Sequence, residues 1–180
     1  LGFWKYGDEY KVMGMAAYGN PNMVEECREL VKAVKGGKFE LNTEYFLHDS
    51  DGVSMEFAGG YPEIGKVYSD KLVELLGPAR VQGEDVDERH RDIASSLQLV
   101  YEEVLIHILG HLNGIYPGQK KLCLAGGCAQ NSLANGIITS KTDFNDVWIQ
   151  PAAGDSGGAL GAALAVSNMI KKERKNLMNT

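Results

Sequence analysis

Residues 120–135 read KKLCLAGGCAQNSLAN, a short apolar run that breaks on two glycines and then becomes compatible with helix. Leu122 to Ala125 have charge before them and glycine after them, which suits a buried strand better than half a helix. Gly126 and Gly127 let the backbone turn through dihedrals that a Cβ would forbid, and they leave the turn open to a ligand. The sequence predicts a helix from Cys128 to Ile138, so that its first unpaired N–H groups point into the turn. Unpaired donors and the positive end of a helix dipole together favour an anion, phosphate above all.

The same construction recurs one unit later. Val147 to Gln150 form a second apolar run, Pro151 stops it, and residues 152–165 (AAGDSGGALGAALA) carry a single acid, Asp155, through a glycine-rich turn into a helix of small residues. Gly157, Gly158, Gly161 and Ala162 would also serve a helix that packs unusually close to a neighbour, so those glycines do not by themselves indicate a ligand. Asp155 has two readings. It could cap the helix by accepting from the N–H of Gly157 or Gly158, or it could hold a cation in an open turn.

Working outward, the 180 residues are 44% hydrophobic and 23% charged, enough for one substantial core. A net charge of -6 and a pI near 5.2 argue against a nucleic-acid surface, and the one basic cluster is the short KKERK near the end. No apolar run of bilayer length and no secretory leader pattern stand out, so the expectation is a cytoplasmic protein with no membrane partner. Cys27, Cys123 and Cys128 are odd in number and lack CxxC spacing, which fits reduced thiols rather than disulfides or zinc. Cys128, expected in the first turn of a helix, is placed where a dipole would activate it, although a small packing residue is the simpler role. The opening LGFWKYGDEYKVMG reads as interior sequence, as in a piece of a longer protein.

The remainder of the chain predicts its own elements. Leu1 to Asn20 read as a functional loop with a short helix near Lys11 to Tyr18. Asn22 to Val34 are amphipathic and predict a helix ended by Gly36 and Gly37. Between Lys38 and Gly59 the alternation around Phe39 and Leu41, and then Val53, Met55 and Phe57, predicts two antiparallel strands. Tyr68 to Leu76 predict a helix stopped by Gly77-Pro78, and Arg80 to Arg91 a charged surface connection. From Asp92 an apolar spacing through Ile93, Leu97, Val100, Val104, Ile108 and Leu112 predicts a long helix to about Gly114. The helix–strand alternation from there to Lys172 implies a parallel sheet flanked by helices. His107 and His111 lie four apart on that long helix and could share a metal, but they accompany its apolar stripe and have no third ligand nearby in sequence.

Taken together, LAGGCAQNSLANG, PAAGDSGGALGAAL, EYKVMGMAAYG and LLGPARVQGEDVDERHRDIASSLQLVYEEVL resemble the carbamoyltransferases of the nodulation and antibiotic-tailoring type, over most of the chain. Departures are Ala17 in place of a usual proline, and Cys128 and Gln130 in place of usual apolar residues. The resemblance implies an α/β fold, the second lobe of an actin-like, sugar-kinase-like (ribonuclease-H-like) domain spanning residues 1–180. Its sheet would be mainly parallel, with a small antiparallel β insertion at about 36–90. It implies a missing first lobe and a YrdC-like domain in the same protein, the latter making carbamoyl-adenylate from carbamoyl phosphate and ATP for transfer to a small-molecule hydroxyl. By motif, Gly126, Gly127 and Asn131 would hold the adenylate, with Lys11 and Gly14 on the facing wall. Asp155 would be the catalytic ligand of a divalent metal, iron foremost, whose other ligands are a histidine pair upstream of Leu1. Two other readings stay open: an ATP-binding phosphotransferase lobe of the same architecture, and a noncatalytic nucleotide-binding fragment.

Overall fold

The computed structural model describes residues 1–3, 5 and 7–178; Trp4 and Tyr6 of the opening loop, and Asn179 and Thr180, lie outside the described residues. In chain order the elements are α1 (Tyr10–Ala16), α2 (Val24–Leu30), β1 (Val31–Val34), β2 (Lys38–Leu41), β3 (Met55–Ala58), β4 (Tyr61–Ile64), α3 (Asp70–Leu76), α4 (Glu88–Ile115), β5 (Lys121–Leu124), α5 (Ser132–Lys141), β6 (Asp146–Ile149) and α6 (Gly157–Met178). The chain is mixed α/β. Among the described residues its sheets are one parallel pair, β5–β6, and two antiparallel hairpins, β1–β2 and β3–β4. The expected mainly parallel sheet is therefore reduced to a single parallel pair.

That pair is where the apolar runs placed it. Leu122 lies opposite Val147 and Leu124 opposite Ile149, in register. α4 and α5 cover one face, and Leu109, Leu122, Ile138 and Phe144 form a buried cluster with Leu105, Leu112, Leu124 and Val147 packed around it. The other face is bare, with Trp148 61% exposed. α6 does not cover it, and Leu160, Leu164, Val166, Met169 and Ile170 on that helix stay exposed. Of its glycines, Gly157 is closely packed, against Gln150 and the carbonyl of Ala152, whereas a Cβ on Gly158 or Gly161 would meet nothing within 4 Å.

α4 starts one turn earlier than its apolar stripe, because Asp87 provides a cap: its carboxylate accepts from the N–H of His90 at 2.9 Å. The segment expected to be a loop up to Arg91 thus ends inside a helix. The same end of α4 buries polar groups that anchor the segment before α2. Asp92 accepts from the N–H of Asn20 at 2.7 Å and from Asn22 Nδ2 at 2.8 Å, and Ser96 Oγ accepts from the N–H of Met23 at 2.9 Å. α4 is 28 residues long, and by length and composition it would suffice to cross a bilayer, contrary to the expectation of no apolar run of that length. It lies instead against α1, α2, α5 and β1.

Two expectations in the first third of the chain need correction. The predicted helix over Asn22–Val34 stops at Leu30, and Val31–Val34 become a strand paired with Leu41–Lys38. Gly36 and Gly37, read as a helix stop, are the turn of this hairpin, with φ of 81° and 67°. A Cβ on Gly37 would also stand 2.5 Å from His111 Cδ2. The strands at 38–41 and 55–58 exist, but they do not pair with each other; each pairs with its own neighbour in sequence.

Candidate functional site at two glycine turns

Because β5 and β6 run parallel, the turn that follows each strand leaves from the same end of the sheet. In open α/β sheets that end, beyond the carboxyl ends of the strands, is where ligands are held. The two turns are joined directly: the N–H of Gly126 donates to the carbonyl of Ala153 at 2.7 Å. Gly126 does so at φ 101°, a conformation costly for any residue with a Cβ.

After Gly126 the chain makes a 3₁₀ turn, Gly127–Gln130, and only then enters α5, with Asn131 as its N-cap. The expected helix start at Cys128 is thus displaced by four residues. Asn131 explains it, since its Oδ1 accepts from the N–H of Ala134 at 3.1 Å and fixes the boundary there. Asn135 Nδ2 holds the 3₁₀ turn to the new helix through the carbonyl of Ala129, at 2.7 Å. The open donors at this site therefore belong to the turn and not to α5. Among the described residues, the N–H groups of Gly127 and Cys128 meet no acceptor.

α4 supports the turn from beneath. Gln98 and Asn131 exchange a pair of amide hydrogen bonds, Gln98 Nε2 to Asn131 Oδ1 at 3.1 Å and Asn131 Nδ2 to Gln98 Oε1 at 2.9 Å. Tyr101 donates its hydroxyl to the carbonyl of Cys128 at 3.2 Å. Burial, with Cys128 second, pushes the tyrosine up to about 12, so it stays a donor. Neither Gln98 nor Tyr101 stood out in the sequence, where the only available signal was two polar groups three apart on the long helix.

α1 reaches the same place from the side, with Ser132 Oγ 3.7 Å from Met13 Sδ. This sets the helix of Lys11 and Gly14 beside the start of α5. The Lys11 ammonium is 2.7 Å from Asp8, and that hydrogen bond raises its pKa, so it is a fixed positive charge. Gly14 is exposed and a Cβ there would meet nothing within 4 Å.

Asp155 sits in the second turn with its side chain exposed. The N–H of Gly157 goes to the carbonyl of Gly154 and that of Gly158 to the main-chain carbonyl of Asp155, at 2.9 and 3.2 Å. Those are the two donors a capping carboxylate would have taken, so the carboxylate is left without a hydrogen-bond partner among the described residues. His107 and His111 belong elsewhere. His107 Nε2 donates to the carbonyl of Val34 at 2.8 Å, and His111 packs under Gly37, so both support the β1–β2 hairpin. No group of three metal-ligating side chains forms among the described residues. Cys128 is exposed on the 3₁₀ turn, outside the first turn of α5, whereas burial pushes the Cys27 thiol up to about 11.

A family model described as the carbamoyltransferase N-terminus matches residues 1–164. The chain belongs to the carbamoyltransferase family. It is 39% identical over 170 residues to nodulation protein NolO of Bradyrhizobium diazoefficiens, covering 91% of this chain and 26% of that protein. It is 37% identical over 173 residues to nodulation protein NolNO of Sinorhizobium fredii, covering 94% and 22%. An uncharacterized Synechocystis protein is 41% identical over 169 residues, covering 92% and 25%. The chain thus spans about a quarter of the length of the curated relatives it matches. In this carbamoyltransferase chain the motif residues Gly126, Gly127, Asn131 and Asp155 lie on two turns bonded to each other, with Lys11 and Gly14 on the adjoining helix.

Proposed function

We propose that this chain is the part of an O-carbamoyltransferase that receives carbamoyl-adenylate and presents it to a small-molecule hydroxyl. The observation that carries the reading is the Gly126–Ala153 bond at the carboxyl end of a parallel strand pair, which joins a turn with two open backbone donors to a turn with one open carboxylate. Backbone N–H groups at Gly127 and Cys128 suit the phosphate of an adenylate, and Lys11 stands on the neighbouring helix with its ammonium paired to Asp8. Asp155 suits a cation, and its freedom from capping is what a ligand requires. A divalent ion there, iron foremost, would supply a Lewis acid to the carbamoyl oxygen as charge develops on it. This chain offers that ion one carboxylate, and the remaining ligands, together with the domain that makes the adenylate from ATP and carbamoyl phosphate, belong to the rest of the protein in this reading.

The test is Asp155→Asn in the full-length protein, assayed for carbamoyl transfer from carbamoyl phosphate and ATP to a hydroxyl acceptor and for metal by elemental analysis. Asparagine caps a helix about as well as aspartate, so a structural role predicts a silent change. A ligand role predicts lost metal and transfer reduced by at least about a hundredfold. A fully active, fully metallated variant overturns the assignment.

A further inference from the structure

The amide pair beneath the first turn has only one possible polarity, and this decides what Asn131 can offer a ligand. A backbone N–H can only donate, so the Asn131 atom 3.1 Å from the N–H of Ala134 is its oxygen. On its other side Gln98 Nε2 donates to Glu102 Oε1 at 2.7 Å. Between those two anchors the amides of Gln98 and Asn131 fit together in a single orientation, nitrogen to oxygen at both contacts. Gln98 is 8% exposed, so water does not compete freely for the pair. Asn131 Oδ1 then has both lone pairs committed, to Ala134 and to Gln98. Its Nδ2 has given one hydrogen to Gln98 Oε1 and keeps one.

We infer that Gln98 is a positioning residue that fixes Asn131 as a hydrogen-bond donor, so the ligand atom met by Asn131 is an acceptor and not the exocyclic amine of adenine. The inference rests on the adenylate reading and deepens it, because it requires an acceptor of the nucleotide, a phosphate or ribose oxygen or a ring nitrogen of the base, opposite Asn131 Nδ2. Gln98 touches no ligand in this account. It acts through Asn131, whose rotamer and polarity it holds.

The experiment is calorimetric titration of the full-length protein with AMP, alongside thermal melts, for wild type and two variants. Gln98→Met keeps the length and removes both amide contacts. The double change Gln98→Glu with Glu102→Gln keeps the net charge and an acceptor facing Asn131 Nδ2, but sets a carboxylate oxygen against Asn131 Oδ1 where Gln98 Nε2 had donated, and so breaks the pair by a second route. The expected result is AMP affinity weakened about tenfold in both Gln98→Met and the double variant. A purely structural Gln98 predicts a lower melting temperature with AMP affinity unchanged. Wild-type affinity in a folded Gln98→Met overturns the inference alone, as does wild-type affinity in a folded double variant should Gln98→Met not fold. A wild-type protein that binds no AMP overturns the adenylate reading and this inference with it.

Discussion

Neither the backbone nor the packing at Gly127 calls for glycine. Its φ is outside the left-handed region that Gly126 occupies, and an added Cβ would meet no atom of the protein within 4 Å. Openness alone does not distinguish it, since Gly158 and Gly161 on the uncovered α6 are equally open. Gly127 differs in standing beside two unpaired N–H groups at the end of the parallel pair, where a side chain would occupy the ligand's approach. Gly127→Val in the full-length protein is therefore expected to leave the melting temperature nearly unchanged and to weaken nucleotide binding by about tenfold or more. Calorimetric titration with AMP checks it, and unchanged affinity in a folded variant would make the turn structural only.

At the scale of elements, α4 does most of the positioning. Its middle meets the sheet through Leu109, which is 3% exposed in the cluster with Leu122, Ile138 and Phe144. Leu109→Ala is expected to destabilise the protein by about 2–5 kcal/mol through lost transfer energy and the cavity left behind, measurable by denaturant unfolding. Its first turn carries a proton switch of stability. His90 is 1% exposed, and its Nε2 lies 3.1 Å from Arg89 Nη2. His90 Nδ1 accepts from the backbone N–H of Asp87 at 3.2 Å, closing a reciprocal cap, and lies 2.6 Å from Asp87 Oδ1. Burial holds His90 below its usual 6.5, with the Asp87 charge opposing. The folded state keeps the ring neutral while the unfolded chain protonates it, so this stability is fully present above about pH 6.5 and is lost as pH falls below that value. Asp8, Asp70 and Asp87, each held below the usual 3.8, lose their contribution only in stronger acid. The melting temperature should fall between pH 7 and 5 in wild type and fall less in His90→Gln.

Across the whole molecule, what could be read in advance was local. An apolar run followed by glycine places β5 and β6, and a spacing held for several turns places α4, because each depends on residues near one another in the chain. Val31 to Val34 continue the amphipathic period of α2 and were read as helix; their strand conformation is chosen by a partner, Lys38–Leu41, that periodicity does not register. The site divides the same way. Asp155 was visible as a lone acid among glycines, whereas Gln98 matters through an amide 33 positions away, which no short-range pattern encodes. The single carboxylate also sets an expectation for activity: the 180-residue chain by itself should turn over no carbamoyl acceptor, and the full-length protein should, in parallel assays with carbamoyl phosphate and ATP. One bond then acquires a wider meaning. The Gly126 proton that reaches Ala153 spans from one strand-turn-helix unit to the other, so it can exchange with solvent only when the two units part. The lifetime of that one proton is a clock for the crevice, and whatever settles on either turn should slow it.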